Sequence, residues 1–417
     1  MTDSRSVSDF ARRLAAITAV AAGWRLLRWW FVKWDQELLL NDSLYYSAQA
    51  RQLTQGRWFR DVFVDVPAAE HGPLTSIVLA PFSFGDDPVR WQRLGTVLLG
   101  VALVVLIGVL GRRIGGDRVG LVAAGLAAVY PNLWMNDGLV MAESLAAVLV
   151  VAALIVLLDL QGGVDVRRAV VFGVLVGLAT LTRSELALFV PLAWIVVVRT
   201  GIGRRRALGA ATAMAVAAGA VVMPWTAFNL TRFERPVLLT TNDGTTLLGA
   251  YCTETFEGPY VAGWFVGCVW EHPSYAETEP SVRSALQRDA AFAFIADNAA
   301  ALPPMMVRRV ARSFDLTAID LLIAHAEGEE REPWAVRAGI VAFWLLLPLA
   351  AVGAMRVDRR YLSVLVLPVV TTVLVSALFY GAHRFRIAME PVVVVLAAVT
   401  IVDLVRGRAA PRSPAGP

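Results

Sequence analysis

Ten apolar segments, each a candidate for a membrane-spanning helix, dominate this sequence, although the fifth and sixth are short and share one apolar stretch. A hydrocarbon core about 30 Å thick requires roughly 20 apolar helical residues to cross it. The predicted spans are 11–31, 90–111, 117–135, 141–160, 168–183, 185–199, 207–230, 335–355, 361–380 and 387–405. Hydrophobic residues make up 57% of the 417 residues and charged residues 17%, whereas about 25% of an average soluble domain is charged. The sequence therefore predicts an all-α polytopic membrane protein, and it excludes a disordered, collagen-like or disulfide-rich secreted chain.

Arginine clusters between the spans predict the orientation in the membrane. They lie near residues 5–13, 112–118, 167–168, 199–206, 356–360 and 406–412, which alternation of the spans puts on one side. Because positive residues accumulate on the cytoplasmic side, both termini are expected there, and no cleavable signal peptide is expected. The same clusters account for the net charge of +4, so nucleic-acid binding is not predicted.

Two further features concern the origin of the chain and its first span. Lys33 is the only lysine, and alanine, valine and glycine are abundant. That composition is typical of a GC-rich bacterial genome, so we expect the inner membrane of a bacterium. Arg25 and Arg28 interrupt the first span near one end. Such arginines either extend to the lipid headgroups or end the span early.

Two long connections lie on the predicted exterior side, over 32–89 and 232–334, and connections of that length usually carry function. We predict interfacial helices over 43–54 and 73–84, strand-like pieces around 237–268, and helices near 281–300 and 303–315. The predicted domains are an N-terminal transmembrane module with a catalytic first exterior loop (1–231), a small mixed exterior segment (232–334), C-terminal transmembrane helices (335–405) and a disordered tail (406–417).

Asp42 lies directly after the first span, in the sequence NDSLYYSA. It either caps the helix predicted to follow or acts as a general base at the membrane surface, and the two roles are compatible. Tyr46 falls one turn later on the same helix face. A proton-coupled transporter is expected to place such groups near the middle of its spans, whereas here they lie at the exterior ends.

Glu70 and His71 precede Gly72-Pro73 in the same loop. One interpretation is an ordinary Gly-Pro turn that starts a helix. The other is a pocket in which one side chain orients an acceptor and the other contacts a phosphate or a sugar, since histidine titrates near neutral pH and can donate to an anion.

Cationic side chains occur at two other exterior ends. Arg183, beside Glu185, either forms an ordinary ion pair or binds a phosphate in a bidentate manner. His383, Arg384 and Arg386 begin the last span, where they either anchor the helix or form a phosphate site.

The chain has two cysteines, Cys252 and Cys268, both in the second exterior segment. An oxidising exterior favours a structural disulfide between them. Two cysteines alone cannot form a zinc site.

In order and spacing, these motifs resemble the GT-C superfamily of membrane glycosyltransferases, particularly the branch of protein O-mannosyltransferases and lipid A aminoarabinose transferases. That branch has an aspartate followed four residues on by tyrosine, as at Asp42 and Tyr46, and then an acidic and a basic residue before Pro-Leu, as in EHGPL from Glu70. Three other motifs also resemble the family: Tyr130-Pro131 through Glu143-Ser144, Leu181-Thr182-Arg183, and Arg384-Phe385-Arg386 with Glu390-Pro391. The chain departs from the pattern at Asp42-Ser43, where the family commonly has Asp-Glu.

The resemblance implies an enzyme that takes a sugar from a polyprenyl-phosphate donor and passes it, with inversion, to a hydroxyl of a glycan, lipid or protein acceptor on the exterior face. Asp42 deprotonates the acceptor, and cationic groups stabilise the leaving phosphate. The expected acceptor- and sugar-binding residues are Tyr46, Glu70, His71, Asn136, Asp137 and Glu143, and the expected phosphate-binding residues are Arg183, His383, Arg384 and Arg386. No required metal ion or other cofactor is expected.

Two other functions remain open. A flippase or transporter of lipid-linked sugars would move its ligand without forming a product, and it predicts polar residues in the middle of the spans. A GT-C-like scaffold without catalytic activity would only bind a lipid or a partner.

Overall fold

The computed structural model describes residues 4–39, 42–163, 165–199 and 203–409. Within them nineteen α-helices follow one another without a β-strand. The first ten are α1 (Ser4–Arg28), α2 (Asp42–Thr54), α3 (Leu74–Leu79), α4 (Pro88–Gly115), α5 (Asp117–Val129), α6 (Pro131–Trp134), α7 (Glu143–Gln161), α8 (Val166–Thr182), α9 (Phe189–Val198) and α10 (Arg204–Leu230). The others are α11 (Asp243–Ala250), α12 (Thr253–Phe256), α13 (Gly267–Trp270), α14 (Pro280–Asp297), α15 (Leu302–Ser313), α16 (Ile319–Gly328), α17 (Pro333–Arg356), α18 (Arg359–Leu378) and α19 (Glu390–Ala409).

An α-helix lies at each of the ten predicted spans. The presence of these helices does not establish ten membrane crossings. Among the described helices, α4, α7, α10, α17 and α18 have both the length and the apolar composition of a span. A sixth is reached if α14 and the following helix, which ends at Ser313, count as one span bent by 80°. The described residues therefore form an all-helical membrane protein, as predicted, in which five or six helices have the length and composition of a span.

The first long connection, which the sequence predicts to be exterior, contains the two helices predicted for it. α2 and α3 lie close to the predicted ranges, and a short 3₁₀ turn, Ala80–Phe82, continues α3. At the other end of the chain α19 runs to Ala409. The predicted tail therefore begins as helix, and its remaining residues, 410–417, lie outside the described residues.

The prediction of strand-like pieces over 237–268 was wrong. The described segment forms α11, α12 and α13, joined by turns. Thr245 and Thr246 favour strands by propensity, but tertiary packing overrides such preferences. At Gly244, for instance, an added Cβ would lie 2.2 Å from the carbonyl oxygen of Ser284. The close contact between α11 and α14 at this glycine favours the helical form.

The two arginines that interrupt the first predicted span are buried in ion pairs. Arg25 Nε lies 2.6 Å from Asp137 Oδ2, and Arg28 Nη2 lies 2.5 Å from Glu332 Oε2. They therefore pair within the protein instead of extending to the headgroups. The helix does not end at them either, because a π-helical turn, Trp29–Lys33, continues α1.

The largest core surrounds α19. Every side chain over residues 392–398 is buried, and the helix packs against α4, α5 and α17. Its sequence there, VVVVLAA, is apolar on all faces, which is typical of a helix buried all round. A 3₁₀ turn, His383–Ala388, lies just before this helix. The motif HRFR is thereby held at one end of the central helix of the fold.

Candidate active site

Two cavities meet at a common set of side chains near the start of α2. Cavity A has a volume of about 450 Å³ and cavity B about 480 Å³. Both are lined by Asp42, Glu70, Asn242, Thr246, Tyr380 and Arg384. Ligands bound in the two cavities would therefore face the same ionisable groups from two sides.

Arg384 is the centre of the charged group at this junction. Its Nη2 lies 3.0 Å from Asp42 Oδ2, its Nε donates to Glu143 Oε1 at 3.0 Å, and its Nη1 donates to Glu329. Burial alone would lower the pKa of Arg384, but the three carboxylates outweigh burial and raise it well above its usual range. We call Asp42, His71, Glu143, Arg183, Glu329, Arg331 and Arg384 the cavity cluster.

Asp42 is ionised in this arrangement. Besides Arg384, it faces His71, whose Nε2 lies 3.4 Å from Asp42 Oδ1. Burial would raise the pKa of Asp42, but the two cationic neighbours outweigh it and hold that pKa well below its usual range. For His71, burial lowers the pKa and the nearby carboxylate raises it, with a net increase. The carboxylate is therefore a strong hydrogen-bond acceptor and, while it keeps both partners, a weak base.

Two backbone features bring Asp42 and His71 together. α2 begins at Asp42, so its carboxylate lies in the first helical turn, where the helix dipole favours a negative charge. Gly72 lets the EHGP turn approach the end of α8, since an added Cβ would lie 2.2 Å from the carbonyl oxygen of Leu181. The His71 ring packs on Tyr46, with ring centroids 5.1 Å apart. Tyr46 thus positions the histidine from the same helix that carries Asp42.

Cavity A combines an apolar wall with cationic groups. Its apolar lining from α18 comprises Leu374, Val375 and Leu378, in a helix with the hydropathy of a membrane span. Arg183 lines the same cavity, where its Nη1 lies 3.1 Å from Glu143 Oε1. Glu143 is almost completely buried and contacts the guanidinium groups of both Arg183 and Arg384. It is therefore the link that holds these two cations at one end of an apolar groove.

Cavity B is lined by aromatic and polar side chains from the second long connection. They include Trp264, Trp270, Arg312 and His325. The disulfide between Cys252 and Cys268, with its sulfurs 2.10 Å apart, closes the loop that contains Trp264 and ends two residues before Trp270. The wall of cavity B is therefore aromatic and polar, whereas that of cavity A combines apolar side chains with cationic groups.

Three other residues predicted for the site, His383, Asn136 and Asp137, lie around it or away from it. His383 lines cavity B, and burial with nearby arginines lowers its pKa well below the usual range, so it is neutral. Asn136 accepts a hydrogen bond from Arg331 at 2.9 Å, behind the junction. Asp137 is buried against Arg25, as described above, and it lines neither cavity.

Arg386 is separated from the cavities although it lies only two residues from Arg384. It is buried, with Nη1 2.6 Å from Asp315 Oδ2 and Nε 3.0 Å from Glu390 Oε1. These two carboxylates compensate its charge. The lining of cavities A and B does not include it.

Sequence reasoning missed two members of the cavity cluster, Glu329 and Arg331, which pair with each other and with Arg384 and Glu143 respectively. They belong to the run EERE over 329–332, directly before α17. Four charged residues in succession at the exterior end of an apolar segment are the signal that could have indicated them. Within the described part of the chain, no three His, Cys, Asp or Glu side chains are grouped as metal ligands.

Comparisons with known proteins agree with this architecture. A family model described as dolichyl-phosphate-mannose-protein mannosyltransferase matches residues 73–228. The archaeal oligosaccharyltransferase AglB from Archaeoglobus fulgidus, in complex with an inhibitory peptide and a dolichol-phosphate, superimposes with a TM-score of 0.58 and 15% identity over 98% of this chain and 52% of that chain. The Archaeoglobus fulgidus oligosaccharyltransferase tethered to an acceptor peptide gives 0.60 and 14% over 95% of this chain and 50% of that one.

A third structure, ArnT from Cupriavidus metallidurans bound to undecaprenyl phosphate, has 18% identity over 97% of this chain and 81% of that chain, with a TM-score of 0.42. That score is too low to support an argument. No curated protein sequence matches the chain significantly.

This chain spans about half the length of the archaeal oligosaccharyltransferases, and at such low identity the likeness to them concerns the fold. The family model adds a sequence match from Pro73, just before α3, into α10, which includes Glu143 and Arg183. Residues 73–228 are therefore similar in sequence to the dolichyl-phosphate-mannose-protein mannosyltransferases, and the chain has the fold of the archaeal oligosaccharyltransferases.

Proposed function

We propose that the protein transfers a sugar from a polyprenyl-phosphate donor to a hydroxyl group of an acceptor, with inversion at the anomeric carbon. The observation that carries the proposal is the 3.0 Å contact between Asp42 Oδ2 and Arg384 Nη2 where cavities A and B meet. This contact puts a proton acceptor next to a phosphate ligand, with room for one substrate on each side. Transfer between two substrates needs that arrangement.

In this proposal the donor occupies cavity A. The lipid chain lies along the apolar face of α18 at Leu374 and Leu378, and the phosphate contacts Arg183 and Arg384. Guanidinium groups suit this role because they bind phosphate oxygens in a bidentate manner. The dolichol-phosphate bound to the archaeal oligosaccharyltransferase, which shares the fold, is a lipid phosphate of the same class.

The reaction requires one bond to form and one to break. The acceptor oxygen bonds to the anomeric carbon, and the bond from that carbon to the phosphate oxygen breaks. The electron pair leaves with the polyprenyl phosphate, and the proton of the acceptor hydroxyl passes to the carboxylate of Asp42. Arg183 and Arg384 stabilise the negative charge that develops on the leaving phosphate, as preorganised cations do in a site of low dielectric constant.

Donor binding also prepares Asp42 to act as a base. Without a ligand, Arg384 and His71 hold the pKa of Asp42 very low. When the donor phosphate attracts the Arg384 guanidinium, that stabilisation of the carboxylate weakens, and the pKa of Asp42 rises. The proposal therefore predicts an ordered reaction, in which the donor binds before the acceptor is deprotonated.

The acceptor, a glycan, a lipid or a protein, enters from cavity B. In this proposal Glu70 faces both substrates, and Tyr46 and His71 face the donor from the wall of cavity A. Glu143, which lines neither cavity, orients Arg183 and Arg384. We place the site on the exterior face of a bacterial inner membrane, with both termini in the cytoplasm. The guanidinium groups, rather than a divalent ion, stabilise the leaving group in this mechanism.

The test is transfer by the purified protein in nanodiscs, supplied with a panel of polyprenyl-phosphate sugars and acceptors and followed by mass spectrometry. Asp42→Asn removes the base and keeps the shape, so the rate should fall by about 10²–10⁴-fold. Asp65→Asn is the matched control, because Asp65 lies in the same loop with 77% of its side chain exposed and outside both cavities. Unchanged transfer by Asp42→Asn would refute the proposed role, and donor movement across the bilayer without product would favour a flippase.

A further inference from the structure

Arg312, on α15, is a buried arginine without a carboxylate partner in the described part of the chain. Only 1% of its surface is exposed. Its Nη1 donates to the carbonyl oxygen of Val261 at 3.0 Å, and its Nε has no hydrogen-bond partner. Two equally buried arginines differ: Arg93 lies 2.7 Å from Glu330, and Arg386 is paired with two carboxylates. Because an uncompensated buried charge is costly, Arg312 lacks a counter-ion that the fold does not supply.

The surrounding backbone is shaped to hold this side chain. A Cβ added to Gly263 would lie 2.8 Å from the Arg312 guanidinium carbon. A Cβ added to Gly381 would lie 2.6 Å from Arg312 Cβ. Two glycines in different segments thus leave the space that the arginine occupies, one along the guanidinium and the other at the base of the side chain. The site is preorganised, which lowers the cost of ordering it when a ligand binds.

Arg312 belongs to the wall of cavity B. Trp264, next to Gly263 in the chain, and Trp270 line the same cavity, and the surface of Trp270 is 55% exposed. Indole rings provide flat apolar faces with a polar N–H edge, which suit the apolar face of a sugar ring better than a flexible chain. Arg384 lines this cavity as well, but it is already paired with three carboxylates. Among the described arginines that line cavity B, Arg312 is therefore the one without a carboxylate partner.

We infer that cavity B binds an acceptor glycan that carries an anionic group, with Arg312 as its counter-ion and the two indole rings against its sugar. This inference rests on the proposed function for the assignment of cavity B to the acceptor. A phosphate and a carboxylate share the chemistry that Arg312 recognises. The hydroxyl that accepts the transferred sugar then faces Asp42 at the junction of the cavities.

The experiment measures binding rather than transfer, so that it does not depend on catalysis. The full-length protein in nanodiscs is titrated with glucose 1-phosphate, glucuronate and glucose, and dissociation constants are obtained by calorimetry. Wild type should bind the two anionic ligands at least about tenfold more tightly than glucose, since a charge-assisted hydrogen bond is worth about 1.5–3 kcal/mol. The relative affinity for the phosphate and the carboxylate identifies the anion.

Arg312→Gln should abolish the preference for the anionic ligands, and Arg312→Lys should retain part of it. Arg309→Gln is the matched control, because Arg309 lies one turn earlier on α15, is equally buried and stacks on Tyr251 outside the cavities. Asp65→Asn, outside both cavities, should bind as wild type does. Because the readout is binding rather than transfer, the result does not depend on the catalytic proposal.

Equal affinity of wild type for all three ligands would overturn the inference, even if Arg312→Gln failed to fold. So would an anion preference that survives in Arg312→Gln, since the anion would then be bound elsewhere. Tighter binding of a neutral peptide than of the anionic sugars would assign cavity B to a protein acceptor instead.

Discussion

The cavity cluster and a second charged group beside it use similar residues in opposite ways. The second group, which we call the anchor cluster, comprises Arg28, Lys33, Arg93, Glu330 and Glu332. Each of its charged groups has a partner within the protein: Arg93 pairs with Glu330 at 2.7 Å, and Arg28 and Lys33 share Glu332. In the cavity cluster, by contrast, Asp42 and Arg384 line two cavities. One cluster is closed to ligands, and the other is open to them.

The run EERE joins the two clusters, because alternate residues face different sides. Glu330 and Glu332 belong to the anchor cluster, whereas Glu329 and Arg331 belong to the cavity cluster. Glu330 has a φ of +66°, which is unfavourable for a residue other than glycine. Its carboxylate, which accepts from Ser43 at 2.6 Å as well as from Arg93, holds it there. The comparison indicates that the closed cluster fixes the backbone that presents the open one.

The largest effect that we predict concerns the anchor cluster. Glu330→Ala leaves Arg93 buried without its carboxylate and removes the contacts that hold a strained residue, so the free energy of unfolding should fall by about 3–5 kcal/mol. Thermal unfolding in detergent measures this loss. Glu327→Ala is the control, since Glu327 is exposed on the adjacent α16. If Glu330→Ala lost transfer activity without losing any stability, the distinction between the two clusters would be wrong.

The second largest predicted effect distinguishes Arg384 from Arg386 within the motif HRFR. Arg384→Gln should reduce kcat/KM for the donor by about 10²–10³-fold, with a smaller change in stability because its partners lie beside the cavities. Arg386→Gln should instead lower the melting temperature, because Asp315 and Glu390 then lose their buried counter-ion. Donor titrations of the folded fraction of each variant provide the measurement. If Arg386→Gln impaired donor use more than Arg384→Gln, the assignment of the phosphate site would be wrong.

The smallest effect is a difference in pH dependence between the clusters. The pKa of His71 is raised in the folded protein, so its stabilising contribution is complete below its unfolded value of about 6.5 and is lost as pH rises through the folded value. Burial lowers the pKa of Lys33 from 10.5 to about 8, so the cost of its charge is relieved as pH rises between those values. The two contributions therefore have opposite signs.

Melting curves of His71→Gln and Lys33→Met against pH measure this difference. Wild type should exceed His71→Gln in melting temperature mainly at low pH, and wild type should gain on Lys33→Met above about pH 8, each by about 2–4 °C. Parallel curves for both variants would show that neither group titrates as the geometry indicates.

Much of the helical framework could be predicted from the sequence, since hydrophobic length and arginine placement are strong local signals. The pairing of Asp42 with Arg384 could not, because it joins residues that are 342 positions apart. Nor could the sequence distinguish Arg384 from Arg386. The 3₁₀ turn that contains them has about three residues per turn, so positions two apart lie on different faces. Only packing against Asp315 and Glu390 decides which arginine is buried.

The most direct test of the central claim is a cryo-EM map of the protein in nanodiscs with a bound polyprenyl phosphate. The account predicts that the phosphate contacts Arg183 and Arg384, that the lipid lies along α18 in cavity A, and that the Asp42 carboxylate moves away from Arg384. A phosphate bound in cavity B beside Arg312, with the contact between Asp42 and Arg384 intact, would contradict it.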